Sequence, residues 1–231
     1  LVEFEPDATM FKHYHFIPEY LDDLMWNYAF LNAGLTINYN GRKFYSKDGL
    51  LDLLKQKSNA EEIRYPIIHI KGEDIEVALT HANQYGEEYY SFVNGQHTTQ
   101  GGTHLAAFRE GVVKGVREVF KKEYDAADIR ESIIAAVAVR IQEPVFESQT
   151  KTKLGSINMA PDGPSVRNTI SDFVAKELSI YLYKNPSVKD ALEKRIIQSE
   201  KERKDIAGIK KLANERAKKA NLHNKKLRDC R

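Results

Sequence analysis

Ile133-Ile134-Ala135-Ala136-Val137-Ala138-Val139 is an almost unbroken apolar run. Seven apolar residues are too few for a buried helix, and β-branched side chains dominate the run. It therefore predicts a strand buried on both faces, at the centre of a sheet. Pro144, which cannot donate to a ladder, sets its far limit. Upstream, three further strands are expected at Ile67–Lys71, Ile75–Thr80 and Glu88–Val93. In the second of these, Ile75, Val77 and Leu79 alternate with Glu76 and Ala78, the period of a strand with two unlike faces. Between the last of them and the central run lies a helical pattern from Thr103, read as an N-cap, to about Lys122. Leu105, Phe108, Val112, Val116 and Val119 form its buried face. Gly111 and Gly115 stand four apart on one side. Each costs about 1 kcal/mol against Ala in a helix, so close packing of another backbone must compensate.

Further upstream, Lys12–Ile17 reads as a short strand. Pro18 opens a helix to about Leu31, with Tyr20, Leu21, Leu24, Tyr28 and Leu31 as its core stripe. Asn40-Gly41 between Leu35–Tyr39 and Arg42–Tyr45 is a two-residue hairpin signal. Asp48 is placed to cap a short helix holding Leu50, Leu51, Leu53 and Leu54, and Gln96–Gly102 is read as a polar loop. Downstream, a polar loop over 147–164 leads to a helix from about Ser165 to Lys184. Asn185-Pro186 breaks it, and Ser187 caps a long helix reaching at least Ala217. Ile196, Ile197, Ile206, Ile209 and Leu212 give that helix only a thin apolar stripe, so it is expected to project as a strut. The fold class is therefore α+β.

Composition narrows the class further. The 231 residues are 42% hydrophobic and 29% charged, as in a globular chain. Residues 184–231 carry 16 Lys/Arg against 7 Asp/Glu, while residues 1–183 carry 19 against 26. The net charge of +2 thus divides into +9 and −7. An acidic body with a basic tail is suited to a polyanion, although Glu193, Glu200, Glu202, Asp205 and Glu215 among the lysines fit a solvated helix equally. The single cysteine, Cys230, has no internal partner, which predicts a reducing cytoplasm. No apolar run approaches the length needed to span a bilayer. The opening Leu1-Val2-Glu3-Phe4-Glu5 has neither an initiator Met nor signal-peptide character, and the chain reads as a piece of a longer polypeptide.

No GxxxxGK[ST] or GxGxxG pattern and no Cys pair is present, so neither a phosphate-cradling loop nor a zinc site is expected. His13 and His15 share a face but lack a third ligand. His97 and His104 flank Gly101-Gly102, where loop polarity accounts for them. The loop Ser148-Gln149-Thr150-Lys151-Thr152-Lys153-Leu154-Gly155 puts two lysines and a glutamine after the most buried strand. A lysine there is a mobile point charge suited to a phosphate. Taken alone, the same loop fits plain solvation as well.

Ordered blocks decide between these readings. Ser91-Phe92-Val93-Asn94, Gly101-Gly102-Thr103-His104 and Phe108-Arg109 resemble the strand–loop–helix signature of bacterial type II DNA topoisomerase B subunits. Asp128-Ile129-Arg130-Glu131 and Glu143-Pro144-Val145-Phe146 running into Gln149-Thr150-Lys151 resemble the next two blocks. Lys226-Leu227-Arg228-Asp229-Cys230 is similar to the start of the TOPRIM region. Phe11 to Tyr20 and the short loops look more like topoisomerase IV than gyrase. Mismatch-repair proteins and a heat-shock chaperone carry related domains beside the same ATPase fold, but not these blocks in this order.

The resemblance implies a transducer domain at residues 1–184, a basic helical stalk at 185–225 and the start of TOPRIM at 226–231. It implies a mainly antiparallel sheet with helices on one face and a left-handed βαβ crossover, against the usual hand, from strand 88–93 through helix 104–122 to strand 133–141. It implies that Lys151 and Gln149 contact the ATP γ-phosphate, Lys151 being the catalytic group. ATP and Mg2+ would be held mainly by an N-terminal GHKL-type domain outside this chain. The implied partners are that domain, the TOPRIM region, a topoisomerase A subunit, a second B-type protomer and double-stranded DNA, in a bacterial cytoplasm without a membrane. The alternative implied role is a DNA-contacting module, with cavity lining and basic stalk and no direct part in hydrolysis.

Overall fold

The computed structural model describes residues 2–222, with side chains described to residue 217. The 226–231 segment, with Cys230, lies outside the described residues. The central apolar run forms β7 (Ile133–Val139), third in a five-stranded sheet of order β3-β4-β7-β5-β6, with β3 Ile68–Lys71, β4 Ile75–His81, β5 Glu88–Val93 and β6 Gln96–His97. Only the β5/β7 pair is parallel; the other three ladders are antiparallel. β5 and β7 are joined through β6, α3 (Thr103–Phe120) and the short α4 (Ala126–Arg130), which is the crossover unit expected there.

Strand alternation separates two cores. Ile75, Val77 and Leu79 lie opposite Val139, Val137 and Ala135, and with Val93 they face α3 and α5 (Val166–Lys184). On the other face, Ala78, Ala136, Ile134 and Phe92 meet Phe30 of α1 (Pro18–Leu31) and Leu50, Leu53 and Leu54 of α2 (Leu50–Lys57). The large helices α3 and α5 thus occupy one face, but helices are not confined to it as the expectation had them. The two small ones cap the other, where alanines leave room for leucines. The hairpin β1 (Thr36–Tyr39) and β2 (Arg42–Tyr45) turns at Asn40 and Gly41, both at positive φ (49° and 75°), the mirror-image turn that residue pair favours.

Gly111 and Gly115 sit where α3 crosses α5. A Cβ on Gly111 would come 2.8 Å from the Ser171 carbonyl, and one on Gly115 would come 2.9 Å from that of Ala175. The long helix α6 (Pro186–Leu222) begins at the proline itself rather than under a Ser187 cap. At 37 residues it is about 55 Å long. Val188, Leu192, Ile196 and Ser199 are buried on the body, whereas Ile206, Ile209 and Leu212 are exposed. The first part of the helix is therefore docked on the body, and its exposed part begins near residue 204.

Several local expectations are corrected. Residues 12–17 form turns and extended chain, not a strand, since no neighbouring strand offers them ladder partners. The buried face of α1 is Ala29 and Phe30, and Tyr20, Leu24 and Tyr28 face solvent. Gly49 stands at the N-cap of α2 in place of Asp48. The Asp52 carboxylate instead accepts from Lys47 N, Asp48 N and Ser46 Oγ. Gln96-His97 leaves the predicted loop to pair with Phe92 and Val93. Gly102, not Thr103, is the N-cap of α3, which stops at Phe120 with Lys121 left-handed. β7 ends at Val139, well before Pro144.

Candidate functional site

The 143–156 segment after β7 folds back over the N-terminus of α3. Three backbone hydrogen bonds hold it there, Gln100 N to Thr152 O (2.9 Å), Leu154 N to Gly101 O (3.0 Å) and Thr103 N to Leu154 O (3.1 Å), and Glu147 N to Lys153 O (3.0 Å) closes the segment on itself. Thr103 Oγ1 also donates to Ser156 O at 2.7 Å. Leu154 is fully buried and plugs the loop into the core. Gly102 makes this approach possible. It has φ +131°, and any Cβ there would lie 2.3 Å from the Leu154 oxygen. A side chain at that position would displace the loop.

Within this frame, Ser148–Lys151 is a tight turn closed by Lys151 N to Ser148 O at 3.0 Å, with Ser148 Oγ 2.7 Å from Thr150 Oγ1. Lys151 takes a left-handed backbone (φ 55°), a conformation costly for a residue with a Cβ and held here by its surroundings. Gln149, Thr150 and Lys151 are all exposed. Lys153 is different: its Nζ lies 2.9 Å from Glu147 Oε1. Among the described residues Lys151 has no such carboxylate, so the two lysines of the loop separate into one paired and one free cation. A shallow concavity of about 420 Å3 beside the loop is lined by Gln100, Thr103, Arg109, Glu147 and Lys153. Two other concavities, of about 500 and 560 Å3, gather around Gly72–Ile75 and Arg140 and include no residue of the 148–152 turn.

The histidines of the two pairs noted in the sequence sit in different settings. His13 and His15 lie on exposed chain, with His15 Nδ1 3.0 Å from the His13 carbonyl. His97 stacks on Phe92 with ring centroids 4.9 Å apart. His104 is buried under the Gly-Gly turn, and burial pushes its pKa down to about 4. Sequence reasoning missed the buried His81, which meets the Tyr65 hydroxyl and the Ile129 carbonyl. Burial lowers it likewise to about 4.

It also missed what the Asp128-Ile129-Arg130-Glu131 block does. Asp128 is buried and accepts from Arg203 Nε (2.9 Å), Arg203 Nη2 (2.7 Å) and Ser199 Oγ (3.3 Å) of α6. Arg130 and Arg109 both pair with Glu87, at 3.1 and 2.8 Å, and Gly86 N donates to Glu131 Oε1 at 2.7 Å. Nearby, the buried Arg195 donates from Nε to Ser132 Oγ at 2.8 Å. This polar seam latches the long helix to the body at the point where the helix departs.

The model of the family described as DNA gyrase B matches residues 44–226. The chain belongs to that family. It is 41% identical over 230 residues to the B subunit of DNA topoisomerase 4 from Borreliella burgdorferi, an alignment covering 100% of this chain and 37% of that protein. Against the B subunit of DNA gyrase from Helicobacter pylori J99 it is 32% identical over 252 residues, covering 99% and 31%. The chain therefore spans about a third of the length of these relatives. The fold matches the 43K ATPase domain of Thermus thermophilus gyrase B, solved in complex with an aminocoumarin (TM-score 0.71, 24% identity, 90% of this chain and 60% of that one). It also matches the topoisomerase IV ATP-binding domain of Francisella tularensis, solved with a small-molecule inhibitor (TM-score 0.65, 24% identity, 86% and 57%). The greater identity to the topoisomerase 4 relative agrees with the reading of Phe11 to Tyr20 and the short loops.

Proposed function

We propose that this chain is the transducer segment of an ATP-dependent type II DNA topoisomerase B subunit, and that Lys151, with Gln149 beside it, reads the γ-phosphate of an ATP held by another domain of the same polypeptide. One observation carries the proposal. Lys151 is an exposed cation in a left-handed turn, unpaired among the described residues, on a loop bonded rigidly to the N-terminus of α3. Its neighbour Lys153 is neutralised by Glu147. A free ammonium on a rigid mount fits a phosphate presented from outside, and the described residues offer no loop of their own to cradle a nucleotide.

ATP supplies the γ-phosphoryl group, with Mg2+ sharing its charge. This chain's part is to place one cationic donor against the outer phosphoryl oxygens, where transfer is helped chiefly by positioning and charge neutralisation. When the terminal phosphate leaves, the Lys151 contact goes with it, so the triphosphate and diphosphate states hold this domain differently. The route outward is continuous. The loop is bonded to the N-terminus of α3, α3 packs backbone to backbone on α5 at Gly111 and Gly115, and α5 runs directly into α6. We assign the downstream partners as the TOPRIM region, an A subunit and double-stranded DNA, within a homodimer of the ATPase-bearing polypeptide.

The test compares nucleotide states in the full-length protein. Amide exchange over residues 148–154 should be slower with a non-hydrolysable ATP analogue than with ADP. Equal exchange in both states contradicts the proposal.

A further inference from the structure

Two of the signature blocks, and the segment between them, put polar side chains in the core. Ser91, Thr98 and His104 are 2%, 1% and 0% exposed. Thr98 N and Thr98 Oγ1 both donate to the Ser91 carbonyl, at 2.8 and 2.9 Å, and Ser91 Oγ donates back to the Thr98 carbonyl at 2.9 Å. His104 Nε2 lies 3.2 Å from Thr98 Oγ1. Ser91 Oγ also lies 2.7 Å from Thr98 Oγ1, where either hydroxyl can donate, so the direction of the Thr98 proton sets the ring tautomer, and in either tautomer the buried Nδ1 has no protein partner. Three apolar residues would fill this space without that orphaned atom. Keeping polar groups in a core has a cost unless their bonds fix something.

What they fix is the footing of the Lys151 loop. Thr98 opens the turn closed by Gly101 N to Thr98 O at 2.8 Å. That turn supplies the Gln100 N–Thr152 O and Leu154 N–Gly101 O bonds on which the loop hangs. Thr152 is the residue next to Lys151, so a shift of the 98–101 turn passes to Lys151 across a single peptide unit. We propose that Thr98 and His104 are positioning residues for Lys151, acting through the 98–101 turn on the placement of its ammonium. This rests on the γ-phosphate reading given above and deepens it.

The test uses the full-length protein with its A partner and three variants. Thr98→Val removes the hydroxyl at nearly constant shape, His104→Leu removes the ring nitrogen that meets it, and His104→Gln retains a polar partner for it. A displacement of about 1 Å can cost a hundredfold in rate, so Thr98→Val and His104→Leu should lower kcat for ATP by about tenfold or more. ADP affinity should stay within about twofold, because ADP has no γ-phosphate for Lys151 to meet, and His104→Gln should recover most of the loss. In a Lys151→Ala background, Thr98→Val should have no further effect, the coupling expected of residues acting through one group. A merely structural role predicts additive losses in the two backgrounds and a parallel fall in ADP affinity, and either result overturns the inference. If Lys151→Ala is slow while Thr98→Val is normal, this inference alone fails. If Lys151→Ala itself turns over normally, the γ-phosphate reading fails first and takes this one with it. Should His104→Leu not fold, Thr98→Val carries the test.

Discussion

Putting a methyl on Gly111 should destabilise this protein, although the same change in an open helix stabilises it. Ala is better than Gly in a helix by about 1 kcal/mol. At Gly111 the new Cβ would lie 2.8 Å from Ser171 O and 2.9 Å from Val174 Cβ. Ordinary contact begins near 3.5 Å, so the α5 backbone must retreat by roughly 0.7 Å. Such overpacking costs about 1–3 kcal/mol, leaving a net loss of up to about 2 kcal/mol. Gly115, facing the Ala175 carbonyl at 2.9 Å, should behave alike. Gly208 is the internal control, since it lies in the projecting half of α6 with nothing within 4 Å of its Cβ position. There the propensity gain stands alone, and the difference between the two sites isolates the overpacking. Thermal unfolding of the chain measures it: each kcal/mol moves the midpoint of a domain this size by about 2–4 °C. Gly111→Ala should lower the midpoint, while Gly208→Ala should raise helix content by circular dichroism. If Gly111→Ala raises the midpoint, the close α3–α5 crossing is not what that glycine serves.

Other outcomes follow from the same geometry. Arg203→Ala removes the main partner of the buried Asp128 carboxylate, so amide exchange over residues 199–207 should quicken, and Asp128→Asn in that background should restore part of the protection; unchanged exchange contradicts the latch. Burial holds His81 and His104 near pKa 4 in the folded chain against 6.5 when unfolded. The unfolded state therefore binds more protons between those values, and stability present above 6.5 is lost on acidification, by about 2 kcal/mol per histidine at pH 5. Urea midpoints measured from pH 7 to 5 should fall, and His81→Gln should flatten the slope. Gly102→Ala should displace the loop at Leu154 and slow ATP turnover in the full-length protein about tenfold or more, with normal turnover counting against the mounting described for Lys151.

The sheet was legible because its signals are local and periodic. The run from Ile133 to Val139 could only be central, and Asn40-Gly41 could only be a hairpin. The 12–17 strand failed because strand propensity needs a partner strand, which no local pattern reveals. The face of α1 was misjudged because Phe30 and Ala29 compete with the tyrosines for burial, and the cavity above Ala78 and Ala136 decides in favour of the former. The Gln149–Lys151 turn was singled out by resemblance alone, since loop lysines carry no spacing signal. The difference between Lys151 and Lys153 depends on Glu147, four residues before one and six before the other, and only the folded loop shows which is reached. The latch was hidden for a related reason: Asp128 and Arg203 are 75 residues apart in sequence.

Single-turnover and steady-state ATP hydrolysis by the full-length protein carrying Lys151→Ala tests the central claim most directly. Removing one positioned cationic donor should lower turnover about a hundredfold or more, with ADP binding and the unfolding midpoint unchanged. Turnover close to that of the unaltered protein, with the variant folded, would show that the ammonium at this turn meets no phosphate.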